Sequence, residues 1–483
     1  MTIPELQQAL DRVRETFRVP GYSVTVTVGG KPVTFTGGYS DIEQQQRPDG
    51  NTLFAIGSCT KSFVAGTICA LADEGLLKLD DTVKAYIPEF SMYDRYVSEN
   101  LTIRDMLCHR CGLPRHELSW YGRLSTLTEA EIIRGLAYLR PNVPFRYKWQ
   151  YSNQMFALAG FLITRVTGLT WQDAVRKYIF TPLGITRCAF SPAEAKALGN
   201  CAEPYLYDKE KAAHYRVPHA DIGAMGAAGS LYLSTEELNK WDRMLLGKGV
   251  FEGKRVLSEA MVHEMLSAQM LRGRESEAPC LTPLVKSHAY GLGLMTETFR
   301  GHELVHHGGH IDGFMADQSI LPEDGFAISI LTNVGMIRGA QVMRYVAVET
   351  LLGGGEDLCA GMHDFYENAA AKQAESNEKL WAERPANAPC PIPAEKIAGT
   401  YRDEGYGTMT IRPAEGSDLA IEYGDVTLTA KHYAHEYYYI EIPALMPGVL
   451  FPAKVSYDIR SEVNGFYAWF DNEGTEPIRF RRV

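Results

Sequence analysis

From Gly21, "GYSVTVTVGGKPVTFTGGYSD" alternates apolar and polar residues on both sides of a Gly-Gly-Lys turn and predicts a β-hairpin. The period changes between Ser58 and Glu74. Phe63, Val64, Thr67, Ile68 and Leu71 fall on one helical face, and Gly75 can supply the left-handed cap that ends the helix. From about residue 100 to 280 the periodicity is mainly helical, broken by Gly and Pro. Strand alternation returns in "HELVHHGGH" and runs on through "GFMADQSILPEDGFAISILTNV", where Pro-Glu-Asp-Gly marks a second hairpin. An apolar helix follows, from about Ala340 to Leu352.

Strands at both ends and helices between them predict one antiparallel sheet with a helical insert, an α+β arrangement. From about Gly353 to Pro393 the chain turns Ala-, Glu- and Lys-rich and then Pro-rich, as a connecting helix and linker would. Eight short alternating segments come after it, starting at Ile397, Gly407, Leu419, Val426, Tyr437, Val449, Gly465 and Pro477. So many short strands in so few residues predict a small up-and-down barrel. The expected division is a first domain over residues 1–355, a helical linker over 356–393 and a barrel over 394–483.

The 483 residues carry 48 basic and 59 acidic side chains, a net charge of -11, which argues against nucleic acid or an anionic membrane as a partner. No signal-like N-terminus and no membrane-length apolar run are visible, so a cytoplasmic location is expected. The nine cysteines are scattered and read as thiols. Cys108 and Cys111 form a C-x-x-C without the second pair that a zinc knuckle needs. "HELVH", from His302, fits the H-E-x-x-H zinc pattern, which requires both histidines on one helical face. On a strand, as the alternation here predicts, His302 and His306 would stand roughly 13 Å apart, too far for one ion. No metal and no cofactor is expected.

"FAIGSCTKSFVAG", from Phe54, sets Ser58 three residues before Lys61 where a strand-like run gives way to a helical one. Alone, Ser58 reads more readily as a helix N-cap than as a nucleophile. A serine nucleophile needs a base, and positions i and i+3 share a helical face. At a helix N-terminus its backbone N–H would also face developing negative charge. A tuned lysine needs partners. Tyr151 and Asn153 in "WQYSNQMFALAG" can supply a second proton carrier and an amide that orients a carbonyl. In "VHHGGHIDGF", His307-Gly308-Gly309 closes a strand read as an edge, two glycines allow close backbone approach, and the N–H of His310 can complete an oxyanion hole. His109 in "CHRCGLP" reads as structural, and Tyr290 in "AYGLGL" as packing or as pocket wall.

Taken together, these motifs resemble the serine β-lactamase and penicillin-binding-protein superfamily, in the branch holding class C β-lactamases, D-aminopeptidases and related esterases. That family's S-x-x-K, Y-x-N and [KHW]-x-G motifs are matched in order by Ser58/Lys61, Tyr151/Asn153 and His307/Gly309, and the flanks "LTIRDMLCHRCGLP" and "GAAGSLYLSTEEL" are similar too. The last segment looks like the lipocalin-like domain often appended to such hydrolases. The resemblance implies an acyl-enzyme on Ser58, proton transfer through Lys61 and Tyr151, orientation by Asn153, and an oxyanion held by the N–H groups of Ser58 and His310. His307 stands where penicillin-processing members have lysine and is expected to offer a weaker, pH-dependent charge. That shifts the expectation from β-lactams toward amides, esters or short peptides. The alternatives are a sensor that acylates without turnover and a scaffold that has lost turnover. The partner is a small-molecule or short-peptide substrate, and exposed edge strands leave room for a homo-oligomer. Loops 116–127 and 208–226 are the expected pocket walls.

Overall fold

The structure, a computed structural model, describes residues 3–273, 278–443, 446–470 and 476–483. The chain forms two compact units. The first comprises Met1–Pro88, Leu101–Arg110 and Gln154–Phe365; the second comprises Glu89–Asn100, Cys111–Asn153 and Tyr366–Val483.

The first unit is built on an antiparallel sheet. Its strands are β1 (Gly21–Val28), β2 (Lys31–Gly38), β3 (Met270–Leu271), β4 (Val285–Tyr290), β5 (Met295–Phe299), β6 (His302–Ile311), β7 (Phe314–Leu321) and β8 (Phe326–Thr332). Their spatial order is β3-β4-β5-β6-β7-β8-β1-β2. The predicted closure of the sheet from both ends is the β1–β8 pairing, in register at Val24 and Ile330. Every residue of β7 is buried, as a strand covered on both faces must be. Asp317 of β7 meets Arg344 of the helix Gly339–Leu351 on one face. The register partner of Asp317 is Ile330, so its neighbour Ser329 points the other way, where it donates to Asp242 of the helix Thr235–Leu246 at 2.6 Å. The N-terminal helix, Ile3–Thr16, lies beside Gly339–Leu351 and buries Leu6, Leu10 and Val13 at helical spacing.

Two sequence expectations need correction. The helix after Ser58 runs from Thr60 to Asp73, behind a 3-10 turn at Gly57–Cys59, and is buried from Thr60 through Leu71. It is a central helix rather than one with a single apolar face: the polar residues Thr60, Lys61, Ser62 and Thr67 are buried along with its apolar ones. Strand β6 is not an edge strand either. It pairs with β5 over His302–His306 and with β7 over Val305–Ile311. Past His306 the β5 pairing ends, so only the His307–Ile311 half is open on that side. "HELVH" lies on this strand: His302 bonds Asp324 at 2.9 Å, while His306 is buried beside Arg344.

The second unit contains a closed barrel of eight strands in up-and-down order. They begin at Gly399, Gly407, Leu419, Val426, Tyr437, Met446, Val463 and Ile478, close to the alternating segments of the sequence. The barrel is filled rather than hollowed by aromatic side chains: Tyr401, Tyr406, Tyr423, Tyr438, Phe451, Phe466 and Phe480 are all buried. The same unit includes residues 111–153, where a helix at Glu129–Leu136 starts from a Thr128/Glu131 capping box. Among the described residues no helix is long and apolar enough to cross a membrane.

Candidate active site

In the first unit, the turn bearing Ser58 and the open half of β6 meet backbone to backbone. Gly57 has φ +50°, and a Cβ there would lie 2.6 Å from the nitrogen of His310. A Cβ on Gly309 would lie 1.9 Å from the carbonyl oxygen of Ile56. Only glycine fits either place, and the close approach brings the backbone of His310 to the turn that carries Ser58. The N-terminus of the following helix adds its own positive end there.

Lys61 is fully buried. Its Nζ lies 3.0 Å from Ser58 Oγ, as the i, i+3 spacing predicts, and donates to the carbonyl oxygen of Ala228 at 2.6 Å. The ring centroid of Phe156 is 5.4 Å away. Both the backbone carbonyl and the aromatic face suit a buried lysine head group. Ala228 has no side-chain signature, so only its setting in "GAAGSL" hinted at it.

His307 corrects another expectation. It is 1% exposed, and burial, with Lys61 next in effect, pushes its pKa well below the ordinary value. Its Nδ1 lies 2.7 Å from the carbonyl oxygen of Gly308, which can only accept, so Nδ1 carries the hydrogen. Nε2 then accepts from the hydroxyl of Tyr290 at 3.0 Å. His307 is thus a neutral ring wedged beside the site, not a pH-dependent cation. Tyr290 is its buried partner, and His109 meets the Tyr290 ring edge-on, with ring centroids 4.9 Å apart. Cys59, next to Ser58, donates to the carbonyl oxygen of His307 at 3.1 Å; burial raises its pKa and keeps it a thiol.

Behind β6 lies a buried charge cluster. Arg344 bonds Asp317 and, at 2.9 Å, His306, whose Nε2 is 3.4 Å from Glu297. Burial, then the charge of Arg344, depresses the His306 pKa to about 4. Burial also outweighs Arg344 at Asp317 and raises that carboxyl to about 6.

Tyr151 and Asn153 fall in the second unit, at the start of the helix Asn153–Thr167. Tyr151 is buried, with the guanidinium carbon of Arg115 4.9 Å from its ring centroid. Asn153 Nδ2 donates to both carboxylate oxygens of Glu117, at 3.1 and 3.3 Å. Arg115 and Glu117 form an ion pair at 2.7 Å. The sequence singled out neither residue, although Glu117 lies in the 116–127 loop expected to wall the pocket. Among the described residues no group of His, Cys, Asp or Glu is placed to hold a metal ion.

The family profile described as "Beta-lactamase" matches residues 6–351. Unguisins hydrolase ungD' of Aspergillus campestris (strain IBT 28561) is 29% identical over 425 residues, covering 84% of this chain and 76% of that one. An octameric penicillin-binding protein homologue from Pyrococcus abyssi superposes with a TM-score of 0.65 at 20% identity over 100% of both chains. A class C β-lactamase from Rhodobacter sphaeroides gives 0.58 at 20% identity over 72% of this chain and 99% of its own.

Proposed function

We propose, from the premise that this chain belongs to the β-lactamase family of hydrolases, that it cleaves an amide or ester of a small molecule or short peptide through an acyl-enzyme on Ser58. The observation that carries this is the 3.0 Å contact between Ser58 Oγ and the buried Lys61 Nζ. Lys61 and Tyr151 take up the Ser58 proton between them as Oγ attacks the carbonyl carbon. The N–H groups of Ser58 and His310 hold the oxyanion, and Tyr151 carries the proton to the leaving nitrogen or oxygen as its bond to carbon breaks. Water then enters, loses its proton to the same groups, and releases the acid with Ser58 regenerated. Asn153 orients the substrate.

A neutral, buried His307 offers no fixed charge to a substrate carboxylate, which favours uncharged amides and esters over carboxylate-bearing β-lactams. Relatives named unguisins hydrolases support a hydrolase with turnover over a sensor and place unguisins in the substrate panel.

The test is intact-mass spectrometry over time on wild type and Ser58→Ala. The panel holds a chromogenic cephalosporin, short-chain nitrophenyl esters, D- and L-aminoacyl anilides and unguisins. The expected result is an adduct on wild type that decays as product appears and is absent from the variant. A persistent adduct would instead identify a sensor. Product formation undiminished in Ser58→Ala would overturn the mechanism.

A further inference from the structure

Arg115-His116-Glu117 is one tripeptide with three different partners, all within the second unit. The guanidinium of Arg115 lies over the ring of Tyr151, and Glu117 takes the amide of Asn153. Between them His116 turns the other way, to the barrel: its Nδ1 is 2.6 Å from the hydroxyl of Tyr406. His116 Nε2 lies 2.9 Å from the carbonyl oxygen of Arg140 and must carry the hydrogen, so Tyr406 is the donor to Nδ1. His116 has φ +45°, ψ 43°, a left-handed conformation costly for a residue with a Cβ.

The barrel grips the following residues too. The hydroxyl of Tyr423 donates to the carbonyl oxygen of Leu118, and the N–H of Asp425 to that of Gly122. The Asp425 carboxylate accepts from the N–H of Ser125 at 2.9 Å. Glu117 thus sits between two barrel-held residues, His116 and Leu118. A carboxylate only accepts, so Glu117 also dictates which end of the Asn153 amide faces it.

We propose that Glu117 and Arg115 are positioning residues for Asn153 and Tyr151, and that the barrel, through Tyr406 and His116, sets the geometry of this pair. The inference rests on the reading of Tyr151 and Asn153 as site residues. It gives the barrel a role in turnover that needs no ligand in its interior, which is filled with aromatic rings.

The experiment is a double-mutant cycle in the full chain, with Glu117→Ala, Tyr406→Phe and both together, and Glu117→Gln as the conservative variant. kcat and KM are read on an ester that wild type turns over, and Ser58 reactivity by labelling with a small fluorophosphonate. The expected result for Glu117→Ala is at least a tenfold loss in kcat/KM with labelling within threefold of wild type. Glu117→Gln, which keeps an acceptor oxygen, should recover most of the loss. Tyr406→Phe should lose about threefold or more. The double variant should fall no further than Glu117→Ala, because both act through one path. Additive losses, or a folded Glu117→Ala with wild-type kinetics, would overturn the proposal. If Glu117→Ala does not fold, wild-type kinetics in both Glu117→Gln and Tyr406→Phe would overturn it equally. Absence of labelling in wild type would instead count against Ser58 as the nucleophile, so the two failures are distinguishable.

Discussion

His307 shows how a residue's setting overrides its type. In solution an imidazole titrates near neutrality, and the sequence pattern suggested a switchable charge. In the fold it is buried, hydrogen-bonded at both ring nitrogens and close to Lys61. Burial and the nearby Lys61 favour the neutral ring and outweigh the Gly308 carbonyl, whose hydrogen bond taken alone would favour the charged one. The sign of the stability effect follows. A group whose folded pKa is depressed stabilises the native state above its unfolded pKa, and that stability is lost as pH falls toward the folded value. Below about pH 6.5 the unfolded chain takes a proton at His307 that the native chain refuses, at a cost of about 1.4 kcal/mol per pH unit. Urea unfolding of wild type from pH 7 to 5 should therefore weaken more steeply, by about that slope, than unfolding of His307→Gln, which has no such proton to refuse. Parallel curves would mean that His307 is charged in the native state and that the tautomer assigned here is wrong.

At the scale of elements, the site depends on how closely β6 approaches the Ser58 turn. Adjacent glycines on that strand make contrasting probes. A methyl group on Gly309 collides with the carbonyl oxygen of Ile56 at 1.9 Å, and backbone cannot step aside as a side-chain tip can. On Gly308 it would meet nothing nearer than Asp317 Oδ2 at 3.8 Å, ordinary contact. Gly309→Ala should lose about 1–3 kcal/mol of stability and on the order of 100-fold in the rate of Ser58 acylation, since misplacing an oxyanion donor by an ångström is that costly. Gly308→Ala should be close to wild type in urea unfolding and in burst kinetics. Equal tolerance at both positions would show that the approach of β6 is not what builds the site. Much of this scale was legible in the sequence. The two hairpins were marked by their turn residues, and the barrel strands by strict alternation, because local chemistry fixes both. The all-round burial of the helix after Ser58 was not legible, because its small polar residues look the same facing solvent or packed core. Nor was the interior place of β6 in the sheet, since pairing partners are set by topology. The motif residues Ser58 and Lys61 could be paired by spacing alone, but Tyr290 and the carbonyl of Ala228 could not, having no fixed spacing to either.

At the scale of the whole molecule, the second unit joins a barrel to the segment that carries Tyr151 and Asn153, which lies far from it in sequence. Burying aromatic rings in the barrel therefore has a consequence beyond the barrel's own stability. Phe480 lies in its interior, fully buried, with ring centroids 6.1 Å from Tyr406 and 6.4 Å from Tyr423. Those are the two tyrosines whose hydroxyls hold His116 and Leu118. Phe480→Ala removes the ring that packs against both. Its expected cost is about 3–5 kcal/mol of stability, as for other large-to-small changes in a packed core. The ring loss also frees Tyr406 and Tyr423 to shift, so that the hold on residues 116–118 slackens. The expected outcome is a fall in kcat/KM of several-fold or more at temperatures where circular dichroism still shows the native fold, with Phe480→Leu showing a smaller fall in the same direction. Phe480 belongs to no catalytic motif, so a graded loss across the two substitutions would trace activity to barrel packing. Wild-type kcat/KM in a folded but destabilised Phe480→Ala would confine the barrel to a purely structural part.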